Sequence, residues 1–196
     1  DPEDITLVKG LRETRAGRAE RARRIGERLA KLGMPGAFDG ALTFAGNPEL
    51  ISRTHFARFL VEAGHCQTVQ SVFDHYLSDD GPAHEPMQWA KLEDAVSWIR
   101  GAGGVAVIAH PGRYHYTPTQ FGALFDMFKD VGGQAIEVIT GSHTVPQYQE
   151  YAQVARHYDF LASCGSDFHS SKESKIEFGS LPPLPSDLKP VWKDLI

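Results

Sequence analysis

Three short runs carry the residue types that metal and phosphate chemistry requires: His110-Pro111-Gly112-Arg113, Glu137 followed by Thr140-Gly141-Ser142-His143, and Gly165-Ser166-Asp167-Phe168-His169. Asp167 and His169 stand two apart on what reads as extended chain, so the carboxylate and the imidazole point the same way and can converge on one ion. A carboxylate beside an imidazole suits manganese, zinc or iron. The same triplet also suits a loop Asp that caps the next helix with an exposed His beside it. His110 follows an apolar run and precedes a proline. A single His in that setting also serves as a core residue satisfied by backbone, but a second strand end bearing Asp-x-His shifts the reading toward a ligand. Arg113 offers a fork of donors matched to a phosphate, or simply a surface charge.

These runs need a scaffold that brings them together. Residues 105–109 are a short apolar stretch bounded by turn signals, as expected of a buried parallel strand. Residues 135–140 and 160–164 read the same way. Helical patterns over 92–100, 121–131 and 148–158 precede or separate them. Strands therefore recur about every 30 residues with a helix between each pair, the length of a βαβ unit. The fold class is α/β, and in such folds the functional residues gather at the C-terminal ends of the strands. All three polar runs follow or end a predicted strand. Glu137 and His143 fall near a site by this criterion, without being assigned as metal ligands. Three strands are too few to close a barrel.

The first part of the chain has a different character. One long helix is predicted from Ile5 to Lys31, with Ala22, Ile25, Leu29 and Leu32 on one face. Gly33 stands where a C-terminal glycine cap belongs, with Pro35 just beyond. Shorter helices are predicted near 40–45, 54–63 and 68–76, and an Asp-, Gly- and Pro-rich loop over 78–82 closes the stretch. The expected division is a helical subdomain over 1–82 and an α/β part over 83–196. The long helix bears Arg12, Arg15, Arg18, Arg21, Arg23, Arg24 and Arg28. They could guide RNA electrostatically, but Glu13, Glu20 and Glu27 at helical spacing favour an ordinary solvated face.

Composition narrows the classes. Of 196 residues, 41% are hydrophobic and 23% charged, which is ordinary for a globular protein. The net charge of −5 argues against broad nucleic-acid coating while allowing a local basic site. No apolar run approaches the roughly 20 residues a bilayer span needs, and nothing resembles a signal peptide. Cys66 and Cys164 form no ligand pair or disulfide framework. Cys164, within an apolar run, is expected to be buried, and the default compartment is a reducing cytoplasm.

The runs Ile108-Ala109-His110-Pro111-Gly112-Arg113-Tyr114 and Gly165-Ser166-Asp167-Phe168-His169 resemble the last two motifs of the PHP superfamily of phosphoesterases. Ser52-Arg53-Thr54-His55-Phe56-Ala57-Arg58-Phe59-Leu60-Val61, followed by Phe73-Asp74-His75-Tyr76-Leu77, resembles the insertion of its TrpH-like branch. That branch includes nucleoside 3′,5′-bisphosphate phosphatases and enzymes that trim RNA from the 5′ end.

The resemblance implies the C-terminal part of a distorted (β/α)₇ barrel with a helical cap. It also implies hydrolysis of a phosphate ester assisted by clustered divalent metals, with manganese favoured over zinc, iron or magnesium. His110, Asp167 and His169 would be metal ligands acting catalytically through the metal. Arg53 and His55 from the cap, with Arg113, would bind a substrate phosphate or the nucleoside. The implied substrate is a nucleoside 3′,5′-bisphosphate, with short RNA as a second one. No membrane or protein partner is implied. The family's opening His-x-His motif and its further ligands are not in this sequence, so roughly 80 to 100 N-terminal residues are expected to lie outside it. The competing expectations are a histidinol-phosphate-type phosphatase, which Arg53-x-His55 argues against, and a non-catalytic PHP interaction module, which His110, Asp167 and His169 argue against.

Overall fold

The structure, a computed structural model, describes residues 1–87, 89–168, 174 and 176–193. His169, one of the expected metal ligands, lies outside the described residues. The chain divides into two compact units, one of Val8–Ala90 and one of Asp1–Leu7 with Lys91–Ile196.

The first of these units is helical. Helix α1 (Ile5–Lys31) enters it at Val8 and contributes Ala22, Ile25 and Leu29, whose three- and four-residue spacing places them on one buried stripe. Leu32 is 44% exposed rather than part of that stripe, because α1 ends at Lys31 and Gly33 turns the chain at φ +87. Helix α2 (Ala37–Thr43) lies close against α1: a Cβ on Gly26 would come within 2.8 Å of the Phe38 Cβ. Helix α3 (Arg53–Glu62) buries Phe56, Ala57 and Leu60. Helix α4 (Val69–Val72) starts from a Thr68–Ser71 capping box and runs on as one π-helical stretch, Phe73–Leu77. Fully burying a Leu, Ile or Phe stabilises by roughly 1.5–3 kcal/mol, so this shared interior is a true core.

The helical unit runs on past residue 82. Ala83 is buried in this core, and the Glu85 carboxylate meets Arg24 at 2.7 Å and Arg28 at 2.9 Å while Arg21 donates to the Glu85 carbonyl at 2.7 Å. At the other end of the chain the Asp1 ammonium donates to the Ala102 carbonyl, both in the second unit.

The second unit is α/β. Helix α5 (Leu92–Gly101) leads to β1 (Val107–Ile108), helix α6 (Pro118–Asp130) to β2 (Ala135–Thr140), and helix α7 (Val145–Tyr158) to β3 (Leu161–Gly165). The strands form a parallel sheet in the order β1-β2-β3. Strand β1 is shorter than the predicted 105–109 because only Val107 and Ile108 pair with β2, and the backbone leaves extended geometry at His110. Both α6 and α7 open with Thr-Pro or Thr-Val-Pro and a Gln at the third helical position, a capping box with proline in the first turn. Asp159 closes α7 at φ +51.

Ile136, Val138, Phe125, Phe128, Tyr151 and Phe160 fill the space between sheet and helices. The segment near Pro190 pairs with β3 through Ala162, covering that edge. Cys164 is exposed, against expectation. The register slips by one between Glu137 and Ile139 on β2, so that Cys164 pairs with Ile139 rather than with Val138. Among the described residues, no helix is long and apolar enough to cross a membrane.

Candidate active site

The sheet delivers His110, Glu137 and Asp167 to one end of its three strands. His110 follows β1, Glu137 lies on β2, and Asp167 follows β3. His110 adopts a left-handed backbone (φ 33, ψ 55) and begins a 3₁₀ turn over Pro111–Arg113. Its N–H donates to Glu137 Oε2 at 2.6 Å, and its carbonyl accepts from the Arg113 N–H at 3.0 Å. Asp167 is also left-handed, at φ 51. Arg113 Nη1 lies 3.5 Å from Asp167 Oδ2, so the predicted phosphate-binding arginine and the predicted metal-binding carboxylate are neighbours.

Electrostatics bind this cluster together. Burial pushes the Glu137 carboxyl above its ordinary range, and the nearby Asp167 charge pushes the same way. The His110 N–H and ring oppose both. His110 Nδ1 is buried and has no hydrogen-bond partner among the described residues. A buried imidazole nitrogen normally finds a partner. An unpaired one in a residue bonded to the Glu137 carboxylate fits a divalent cation chemically, since nitrogen and oxygen donors of this kind are what manganese, iron or zinc take. Among the described residues no group of three or more His, Cys, Asp or Glu side chains is placed to hold a metal ion.

His143 and Thr140 are buried polar residues of this region, and both His143 nitrogens have backbone partners. Nε2 lies 3.0 Å from the Gly112 nitrogen and Nδ1 3.1 Å from the Val138 carbonyl. Burial, more than the charge of His110, holds its pKa below the usual histidine range. Gln147, in the first turn of α7, donates from Nε2 to the Gly112 carbonyl at 3.1 Å. The sequence placed Glu137 and His143 near a site without a role and did not single out Gln147. The available signals were an acid inside the apolar strand Ala-Ile-Glu-Val-Ile-Thr and the Thr144-x-x-Gln147 capping pattern.

Arg53 and His55 sit at the start of α3 in the helical unit. Arg53 Nη1 donates to Asp79 Oδ1 at 2.7 Å and to the Leu77 carbonyl at 3.0 Å, and the guanidinium lies over the Phe73 ring. His55 Nδ1 accepts the Ser52 N–H at 3.0 Å, which leaves the proton on Nε2 as an available donor. Its pKa is lowered by burial first and by Arg58 second. Thus His110, Glu137, Arg113 and Asp167 are brought together in one unit. Arg53 and His55 share a helix N-terminus in the other.

Comparison with known proteins gives a consistent picture. No family model matches the chain. It is 46% identical to a 3′,5′-nucleoside bisphosphate phosphatase of Chromobacterium violaceum, covering 100% of this chain and 68% of that protein. It is 40% identical to the 5′-3′ exoribonuclease Rnm of Salmonella typhimurium, covering 90% of this chain and 59% of that protein. A solved structure from Bifidobacterium adolescentis, assigned as a metal-dependent phosphoesterase, superposes with a TM-score of 0.79 at 27% identity, covering 92% of this chain and 64% of that one. The chain thus spans 59% to 68% of the length of these proteins.

Proposed function

Because this chain belongs to the PHP-type phosphoesterases, we propose that it serves in divalent-metal-dependent release of the 3′-phosphate from nucleoside 3′,5′-bisphosphates, with trimming of short RNA from its 5′ end as a second activity. The observation that supports this reading is the buried His110 Nδ1, without a hydrogen-bond partner among the described residues, in a residue bonded to Glu137, with Asp167 and Arg113 paired nearby. His110, Asp167 and His169 would hold metal, manganese before zinc, iron or magnesium. Bound metal would supply Lewis-acid stabilisation of phosphoryl charge and a lowered pKa for water.

The chain's own residues do the rest. Arg113 presents a planar fork of N–H donors to phosphoryl oxygens and neutralises charge that grows in the transition state. Its closeness to Asp167 places the guanidinium beside the proposed metal-binding carboxylate. Glu137 accepts the His110 N–H and so fixes where the imidazole points. Arg53 and His55 would bind the phosphate that is not cleaved, or the nucleoside. The left-over donor of His55, Nε2–H, suits a phosphate oxygen. The fuller architecture in this reading is a (β/α)₇ barrel carrying Val8–Ala90 as a helical cap, in a cytoplasmic enzyme.

The test is phosphate release from adenosine 3′,5′-bisphosphate by the complete gene product, with Mn²⁺ and with EDTA. Release should require the metal, and His110→Ala or Asp167→Asn should reduce it to background. Near-normal release by either folded variant would remove the metal assignment. Silence from the wild type in every metal would remove the phosphatase reading itself.

A further inference from the structure

The peptide of Gly112 is gripped on both sides by the chain that follows β2. On one side its N–H meets His143 Nε2 at 3.0 Å, while His143 Nδ1 meets the Val138 carbonyl at 3.1 Å. A backbone N–H can only donate and a carbonyl can only accept, so the ring is the neutral tautomer with its proton on Nδ1. On the other side the Gly112 carbonyl accepts from Gln147 Nε2 at 3.1 Å. Gln147 Oε1 accepts the Thr144 N–H at 2.8 Å, which caps α7 and fixes the amide's orientation. The fit leaves no slack: a Cβ on Gly112 would lie 2.7 Å from both Gln147 Nε2 and His143 Cδ2.

Gly112 is the middle of the Pro111–Arg113 turn. His110 precedes that turn and Arg113 ends it, so a grip on the centre sets the direction of both. With both ring nitrogens committed to backbone, His143 has no donor or acceptor left for a metal or a substrate.

We propose that His143 and Gln147 are positioning residues for phosphoester hydrolysis, holding the Gly112 peptide so that His110 and Arg113 keep the directions that metal and phosphate binding require. This role rests on the phosphoesterase reading above. Second-sphere groups of this kind orient the groups that touch metal, and losing them lowers metal affinity or activity by roughly 10–100-fold.

Three variants of the complete gene product separate positioning from mere support. Gln147→Glu keeps an oxygen for the α7 cap but replaces the Gly112-facing donor with an acceptor. His143→Phe keeps the ring's volume and loses both bonds, whereas His143→Gln restores one donor and one acceptor. Three readouts apply: amide exchange of residues 112–114 without metal, Mn²⁺ affinity by calorimetry without substrate, and kcat and KM for adenosine 3′,5′-bisphosphate. Gln147→Glu and His143→Phe should exchange faster in that turn and lose roughly 10–100-fold in Mn²⁺ affinity or kcat, and His143→Gln should recover much of the loss.

Wild-type Mn²⁺ affinity and kcat in folded Gln147→Glu would overturn the proposal, as would a folded His143→Gln no better than His143→Phe. If His143→Phe does not fold, Gln147→Glu decides alone. A wild-type protein that neither binds Mn²⁺ nor releases phosphate would overturn the phosphoesterase reading, and with it this role. The exchange experiment would still report whether the turn is gripped.

Discussion

At Arg53 the magnitudes decide between two uses of one side chain. Its partner Asp79 has a side chain 81% exposed, and Arg53's hydrogen bond holds that carboxyl below the usual carboxylate range. Exposed ion pairs of this type contribute only about 0–1 kcal/mol, whereas a hydrogen bond between charged groups in a binding site contributes roughly 1.5–3 kcal/mol. In the proposed reading a phosphate dianion would outcompete Asp79, and the remaining N–H groups of the guanidinium would join it. Arg53→Ala should raise KM for a nucleoside 3′,5′-bisphosphate roughly tenfold or more, while affecting a monophosphate substrate much less. Steady-state kinetics on both substrates checks this, and equal effects would remove Arg53 from substrate binding. The residue types at 53, 55, 110, 113 and 167 were legible because each belongs to a short motif. The partner roles of Asp79, Glu137 and Gln147 were not, because they lie 26 or more positions from the residues they touch.

Elements with complete local signals were read closely from the sequence, and those shaped by distant partners were not. Helix α1 and strand β2 have the expected bounds because periodicity, a terminal glycine and flanking turns mark them locally. The π-helical stretch after α4 and the register slip in β2 leave no such mark. Helix α3 carries a pH dependence of its own. Its third residue is His55, where a capping box usually has Glu or Gln, and Nδ1 must stay unprotonated to accept the Ser52 N–H. With the folded pKa below the ordinary value of 6.5, the unfolded chain takes up the proton first. Stability from this cap is present above that value and falls as the solution is acidified through the window below it. Between about pH 7.5 and about pH 5.5 the urea midpoint of the wild type should drop more than that of His55→Gln, whose amide caps at either pH. Identical drops would show that the His55 cap does not titrate.

For the molecule as a whole, a ligand that binds only the folded state adds stability by mass action. At about a hundredfold over its Kd that is roughly 2.7 kcal/mol, which for a chain of this size raises the melting temperature by roughly 5–10 °C. Calorimetry of the complete gene product should show such a rise with Mn²⁺ and its reversal by EDTA. No rise at saturating Mn²⁺ would mean that the strand-end cluster does not hold the ion. The backbone at His110 and Asp167 has a consequence on the same scale. Both are non-glycine residues at positive φ, a conformation that glycine holds without the roughly 1–2 kcal/mol steric cost of a side chain. A library of this protein selected for thermal endurance alone, without metal, would therefore drift toward glycine at these two positions. In the proposed reading the sturdiest survivors would have exchanged two metal ligands for stability.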